Sequence, residues 1–273
     1  MIPGIWDVDN ATYHAECTVV GHSMLEDYRQ SVRLYEERYI TKTLQRDEPT
    51  PQMVLGTAVH ALLLQPQQWQ HLLAVAPAAC DRRTKLGKET WERFTAECDG
   101  KTIIAGDQFG TALAMADAVR RNELAHDLLA DPGRSELAIR WEGPHGVPCK
   151  AMFDRQLDVG ISLDLKTAAD PSPSAWPRAA ASYGYHRQAA LYILGREAVF
   201  GIHPTVPFYH LVIGNRAPYD CVVYQLDADA LMLGLTEIDD LLRDLAMRRA
   251  TDQWRGRWDN EVFKVSLPKW SFA

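Results

Sequence analysis

The sequence predicts an α/β fold. Apolar residues recur at helical spacing through the first half of the chain. Short period-two segments broken by turn residues fill the middle, and helical and strand-like patterns alternate to the end. No linker, repeat or low-complexity stretch divides the chain, so a single domain over residues 1–273 is expected. A chain of 273 residues, 47% hydrophobic and 24% charged, can bury a large core.

Taken in order, residues 21–43 read as a helix, with Ser23 as N-cap and Leu25, Tyr28, Val32 and Tyr35 on its apolar side. Residues 45–52, with two prolines and three charges, read as a loop. Residues 53–64 form a strongly apolar helix carrying His60 and closed by Pro66. A loop over 76–87 precedes helices at 89–97 and 106–130, and Asp131-Pro132-Gly133 breaks the chain. Strands follow at 135–142, 147–157 and 161–167. A proline-serine loop at 170–173 leads to a helix over 176–195. Strands at 205–213 and 220–226 precede a terminal helix over 229–249.

Composition narrows the function classes. No apolar run reaches membrane-span length, and the N-terminus lacks a signal-peptide pattern, so a cytoplasmic protein with no membrane partner is expected. Five scattered cysteines contain no CxxC pair, which argues against a disulfide framework or a zinc ribbon. A net charge of -7 argues against non-specific coating of nucleic acid. It leaves room for a nuclease whose basic residues lie in a channel.

The most informative stretch runs from Asp154 to Lys166. Gly160 supplies a turn between two short strands, and period-two alternation places Asp164 and Lys166 on one strand face. Two carboxylates and a lysine converging at one end of a sheet are expensive in a core. A divalent cation between the carboxylates and an anionic substrate over the lysine would make them cheap. That is the chemistry of metal-assisted phosphodiester hydrolysis. The competing reading is two turn carboxylates and a surface lysine, which sits awkwardly with Asp164 between two leucines.

Four further features stand beside bland alternatives. His60 is a core histidine or a cation ligand, with Gly56 and Ala58 allowing close backbone approach. Gln188 and Tyr192 share one helix face, which also suits a plain amphipathic helix. Glu136 opens a strand and can be an ordinary exposed carboxylate. Arg82, Arg83, Lys85 and Lys88 form the densest positive cluster, either solvated surface or a phosphate grip.

Together these pieces resemble the PD-(D/E)XK nuclease superfamily in its RecB-like branch. Asp154 and Asp164-Leu165-Lys166 match the signature, Gly56 and His60 the early G-x-x-x-H, and Gln188 and Tyr192 the later Q-x-x-x-Y. Residues 56–64, 164–170, 183–188 and 266–270 are similar to RecE-type exonucleases, the nuclease domain of exonuclease VIII. Phe153 stands where the superfamily often has proline, and the 273 residues are expected to correspond to the nuclease core rather than to the long N-terminal extension of the large RecE protein.

The resemblance implies a restriction-endonuclease-like central mixed sheet flanked by helices. It implies a Mg2+-dependent exodeoxyribonuclease, with Mn2+ as substitute, that resects double-stranded DNA ends 5′→3′. The 3′ strand would pass to a RecT-like single-strand annealing protein. Asp154, Asp164, the Leu165 carbonyl and His60 are the implied metal ligands, with Glu136 at a second metal position. Lys166 would orient the attacking water, while Gln188 and Tyr192 would hold the lysine or the DNA backbone. A homo-oligomeric ring is implied. No iron–sulfur cluster is expected, since Cys221 is the only cysteine after Tyr192. The rival readings are a structure-specific endonuclease on the same fold and a non-catalytic DNA- or partner-binding regulator.

Overall fold

The computed structural model describes residues 2–272 apart from 79 and 99. Ala79, within the expected loop 76–87, lies outside the described residues, as do Met1 and Ala273 at the ends of the expected domain. The elements in chain order are β1 (Gly4–Ile5), α1 (Asn10–Ala15), α2 (His22–Gln30), α3 (Val32–Tyr35), a π-helical turn (Glu36–Ile40), α4 (Pro51–Leu64), α5 (Trp69–Leu72), β2 (Leu73–Val75), α6 (Lys85–Glu97) and β3 (Thr102–Ile104). They continue as α7 (Gly106–Arg121), α8 (Glu123–Ala130), β4 (Gly133–Glu142), a 3-10 turn (Pro144–Gly146), β5 (Pro148–Leu157), β6 (Ser162–Ala168), α9 (Trp176–Tyr183), α10 (Tyr185–Phe200), β7 (Phe208–Gly214), β8 (Cys221–Gln225), α11 (Ala228–Thr251) and a 3-10 turn (Lys269–Phe272).

Six strands form one mixed sheet in the order β1-β4-β5-β6-β7-β8, in which only β6 and β7 run parallel. The α9–α10 crossover supplies the long connection that a parallel pair needs. Helices cover both faces. Leu137, Ile139, Trp141, Ala151 and Phe153 pack with residues of α2, α3, α10 and α11. Leu165, Leu211 and Ile213 pack with residues of α4, α7 and α8. The expected α/β class with a mixed sheet between helices is therefore present.

Several expected helices are divided, each at a residue whose side chain or backbone favours a break. Ser31 is extended (φ -159°), and its hydroxyl accepts from Leu34 N at 3.3 Å, so it starts α3 and splits the span 21–43. Gly21, rather than Ser23, occupies the cap position of α2. Asn122 caps α8 through Ala125 N at 3.0 Å and splits the span 106–130. Gly184, at φ 71°, divides 176–195 into α9 and α10.

Two starts come earlier than expected for the same reason. Thr50 caps α4 with Pro51 at its first position. Thr84 caps α6 through Gly87 N at 3.0 Å. At β4, Gly133 lies so close to β5 that a Cβ would stand 2.4 Å from Gln156 O. Pairing thus begins at the glycine itself. The parallel β2–β3 pair, three residues per strand, gave no period-two signal long enough to read.

Candidate active site

The site lies where β5 and β6 part. Gly160 turns the hairpin at φ 94°, and pairing continues through Gln156↔Ser162 and Arg155↔Leu163. The next pair would set Asp154 against Asp164, but it is missing from the ladder. On its other edge β6 stays paired with β7 along its whole length. Alternate residues of a strand direct their backbone groups to alternate neighbours, so the parting leaves Leu165 without its β5 partner. Two side chains take over. Asp154 Oδ2 accepts from Leu165 N at 2.6 Å, and His60 Nε2 lies 3.2 Å from Leu165 O.

His60 is carried by α4, whose Leu55, Ala58, Val59 and Leu62 are buried against the sheet. Gly56 is not needed for the approach. A Cβ there would meet only Thr167 Oγ1 at 3.6 Å, an ordinary van der Waals distance. His60 Nδ1 stands 3.7 Å from Asp154 Oδ1.

Glu136 joins them from β4. It lies opposite Asp154 by count, between the pairs Ser135↔Arg155 and Leu137↔Phe153, yet its own pair is missing from the register. Its φ of 51° falls in the left-handed region, a costly conformation for a glutamate in a strand. One ligand atom each from His60, Glu136 and Asp154 lie within 4.8 Å of one another.

The electrostatics of this trio are unfavourable as they stand. Burial, then the neighbouring Asp154 charge, pushes the Glu136 carboxyl up to about 7, against the pull of His60. Burial likewise raises Asp154, with Asp164 adding to it and His60 opposing. Two crowded carboxylates that resist ionisation, an imidazole and a nearby backbone carbonyl form a donor set suited to a hard divalent cation.

Asp164 is held differently. It is 2% exposed, ion-paired with Lys166, and accepts from Gln188 Nε2 at 2.8 Å. Burial would raise its pKa, but Lys166 above all, then His210, holds it below the usual carboxylate range. Burial in turn would lower Lys166, but Asp164 and Asp154 keep it raised and charged. The Lys166 ammonium also sits 4.9 Å from the centre of the Tyr185 ring.

The sequence-level assignment of Gln188 and Tyr192 changes in detail. Gln188 holds Asp164, not the lysine. Tyr192 is 8% exposed and packs edge-on against Phe153 at 5.2 Å, which puts it in the core beneath the site rather than on a DNA-facing surface. Its phenol, raised well above its ordinary value by burial, interacts with the Gln188 side chain.

The basic cluster is carried by the turn before α6 and the first positions of that helix. Arg82 stacks over Trp91 at 4.5 Å, Arg83 pairs with Asp81 at 3.0 Å, and Lys85 stands 3.9 Å from Glu89. All four cations, Lys88 included, are exposed.

Two neighbours of the site were not singled out from the sequence. His210 pairs with Asp164 across the parallel β6–β7 ladder and stands 3.9 Å from it. It is fully buried, neither ring nitrogen has a hydrogen-bond partner, and burial pushes it down to about 4. A lone polar residue in the apolar run of β7 was its visible signal. Tyr185 falls within residues 183–188, a stretch noted only as a block similar to RecE-type exonucleases.

Residues 21–260 match the family model described as a PDDEXK-like domain of unknown function (DUF3799). No curated protein matches the chain. Among solved structures, the chain is similar to a crystal structure named "Putative exonuclease" from Eubacterium rectale, at TM-score 0.66 and 12% identity over 98% of each chain. At that identity the likeness concerns the fold.

Proposed function

The chain belongs to the PDDEXK-like domain family (DUF3799), within the PD-(D/E)XK nuclease superfamily, and from that premise we propose that it is a divalent-metal-dependent exodeoxyribonuclease acting on double-stranded DNA ends. The observation that carries this reading is the convergence of His60, Glu136 and Asp154 beside the Asp164–Lys166 pair. His60, Glu136, Asp154 and the Leu165 carbonyl would hold the cation, with Asp164 adjoining. When bound, Mg2+ or Mn2+ supplies Lewis acidity toward a phosphate oxygen and lowers the pKa of a bound water.

The chain's own groups supply the rest. Lys166 places a fixed positive charge where negative charge builds at phosphorus and orients the attacking water. Asp164 keeps that lysine charged and in place, and Gln188 fixes Asp164 in turn. The exposed Arg82, Arg83, Lys85 and Lys88 are assigned to the DNA backbone. The polarity is 5′→3′, leaving a 3′ strand for a RecT-like annealing protein. A closed cyclic oligomer would gather the few basic residues of a -7 chain into one channel.

Digestion of linear against covalently closed duplex DNA tests this reading, with each strand labelled at its 5′ or 3′ end and with or without Mg2+. The expected result is mononucleotide release from the 5′ label of linear DNA only, and none without a divalent cation. Cutting of closed circles points to the endonuclease, and no cutting with Mg2+, or with Mn2+ in its place, to the regulator. Light scattering checks the ring.

A further inference from the structure

Three aromatic contacts lead outward from the lysine. The Lys166 ammonium lies over Tyr185, and Tyr185 stacks on Tyr183 with ring centres 5.7 Å apart and planes inclined by 29°. Tyr185 also stacks on Trp176 at 5.3 Å, and Trp176 on Tyr224 at 5.7 Å. The middle rings are covered, with Trp176 buried and Tyr185 half-buried. Tyr183 is different: it is 65% exposed.

Core packing does not account for that position. The buried residues of α9 are Trp176 and Ala180, and Tyr183 stands at its last position, before the left-handed Gly184. A large ring left in water forfeits most of the gain from burial. It is nevertheless held in a defined plane by the ring beneath it, and stacks two rings out from the ammonium of Lys166. A flat aromatic ring, stacked on a neighbour and largely open to solvent, suits an unstacked nucleobase. Such stacking tolerates any base.

We propose that Tyr183 is a stacking platform for an unpaired base of the strand whose phosphate lies over Lys166. The inference rests on the nuclease reading and sharpens its substrate: the strand at the site is unpaired for at least one nucleotide, whatever its sequence. Tyr185 fixes the platform's plane and couples it to the lysine. Duplex DNA must therefore fray, or arrive frayed, before its end is seated.

The test uses a duplex with a two-nucleotide unpaired end containing 2-aminopurine, made with phosphorothioate linkages and titrated in Mg2+. Wild-type protein should quench the 2-aminopurine fluorescence. Tyr183→Ala should lose the quench and bind roughly 5- to 100-fold more weakly, as expected for one lost base–aromatic stack. Tyr183→Trp should restore both. Substituting Ala should matter less for a blunt duplex than for the frayed one.

A Tyr183→Ala protein with wild-type melting temperature, quench and affinity would overturn the proposal, as would a wild type that leaves the fluorescence unchanged at saturation. Neither readout needs a bond to break. Quenching by a wild type that never cleaves the ordinary phosphodiester would refute the nuclease reading and leave the platform standing. Cleavage with an unaltered quench in Tyr183→Ala would do the reverse.

Discussion

Two clusters of part-buried charge lie on this fold, and they are built on opposite principles. In the first, Arg187 of α10 joins Glu26 of α2 to Glu237 of α11, with Arg187 Nη2 3.0 Å from Glu26 and Nη1 2.7 Å from Glu237. Burial would raise Glu26, but His22, Arg187 and Arg29 bring it down to about 2. Glu237 is lowered too, Arg187 and His186 overcoming its burial. Every charge there has its opposite. In the second, Glu136 and Asp154 crowd together with His60, and both resist ionisation although His60 pulls on both and Lys166 on Asp154. Three helices are stitched together by the satisfied cluster. In the frustrated one, nearby His60 and Lys166 do not offset the crowding of the carboxylates, which is the environment in which we propose that a cation sits.

The largest expected effect lies beside the frustrated cluster. Lys166→Ala should lower the cleavage rate of folded protein on the order of a hundredfold or more, because the ammonium acts on charge that develops in the transition state, and should also lower the melting temperature, because it strands the buried Asp164. Near-normal turnover in a folded variant would remove Lys166 from the chemistry. The satisfied cluster should respond the other way. Arg187→Ala removes the cation shared by Glu26 and Glu237 but leaves Arg29 and His22 beside the first and His186 beside the second, so it should cost on the order of 1–2 kcal/mol of stability, less than a broken fully buried pair also because Glu237 is 39% exposed. Denaturant titration reads this, and a loss below about 0.5 kcal/mol would mean that the network holds nothing together.

A smaller effect tests whether the exposed cations at the start of α6 matter at all. Replacing Arg82, Arg83 and Lys85 together with Ala should make the slope of log affinity against log salt shallower, by at most about one unit per lost phosphate contact. Arg83 already has Asp81, and Lys85 stands near Glu89, so the change should fall well short of that ceiling. An unchanged slope would return the cluster to solvated surface.

The contrast between the clusters also explains what could be read from the chain. Asp164, Lys166 and the Gly160 turn were legible because a strand repeats every two residues and a hairpin turn has its own chemistry. The divided helices were not, because breaks at Ser31 and Asn122 depend on a side chain capping its own backbone, and such residues also occur inside helices. Gln188 was visible as a helix-face residue, but its partner Asp164 is 24 positions away and only the α10–β6 packing brings them together. Nothing local announces that Glu136 leaves its ladder at φ 51° to meet Asp154.

The central claim is that this frustration is resolved by a divalent cation. Calorimetric titration with Mn2+, paired with thermal melts in EDTA, tests it on the wild type, Asp154→Asn and Glu136→Gln. The expected result is Mn2+ binding by the wild type, weakened at least tenfold in Asp154→Asn. Glu136→Gln should melt higher than the wild type in EDTA, by a gain on the order of 1 kcal/mol, because it removes a repelling charge, yet gain less from added Mn2+. Unchanged Mn2+ affinity in both variants, with Glu136→Gln melting below the wild type in EDTA, would contradict the account.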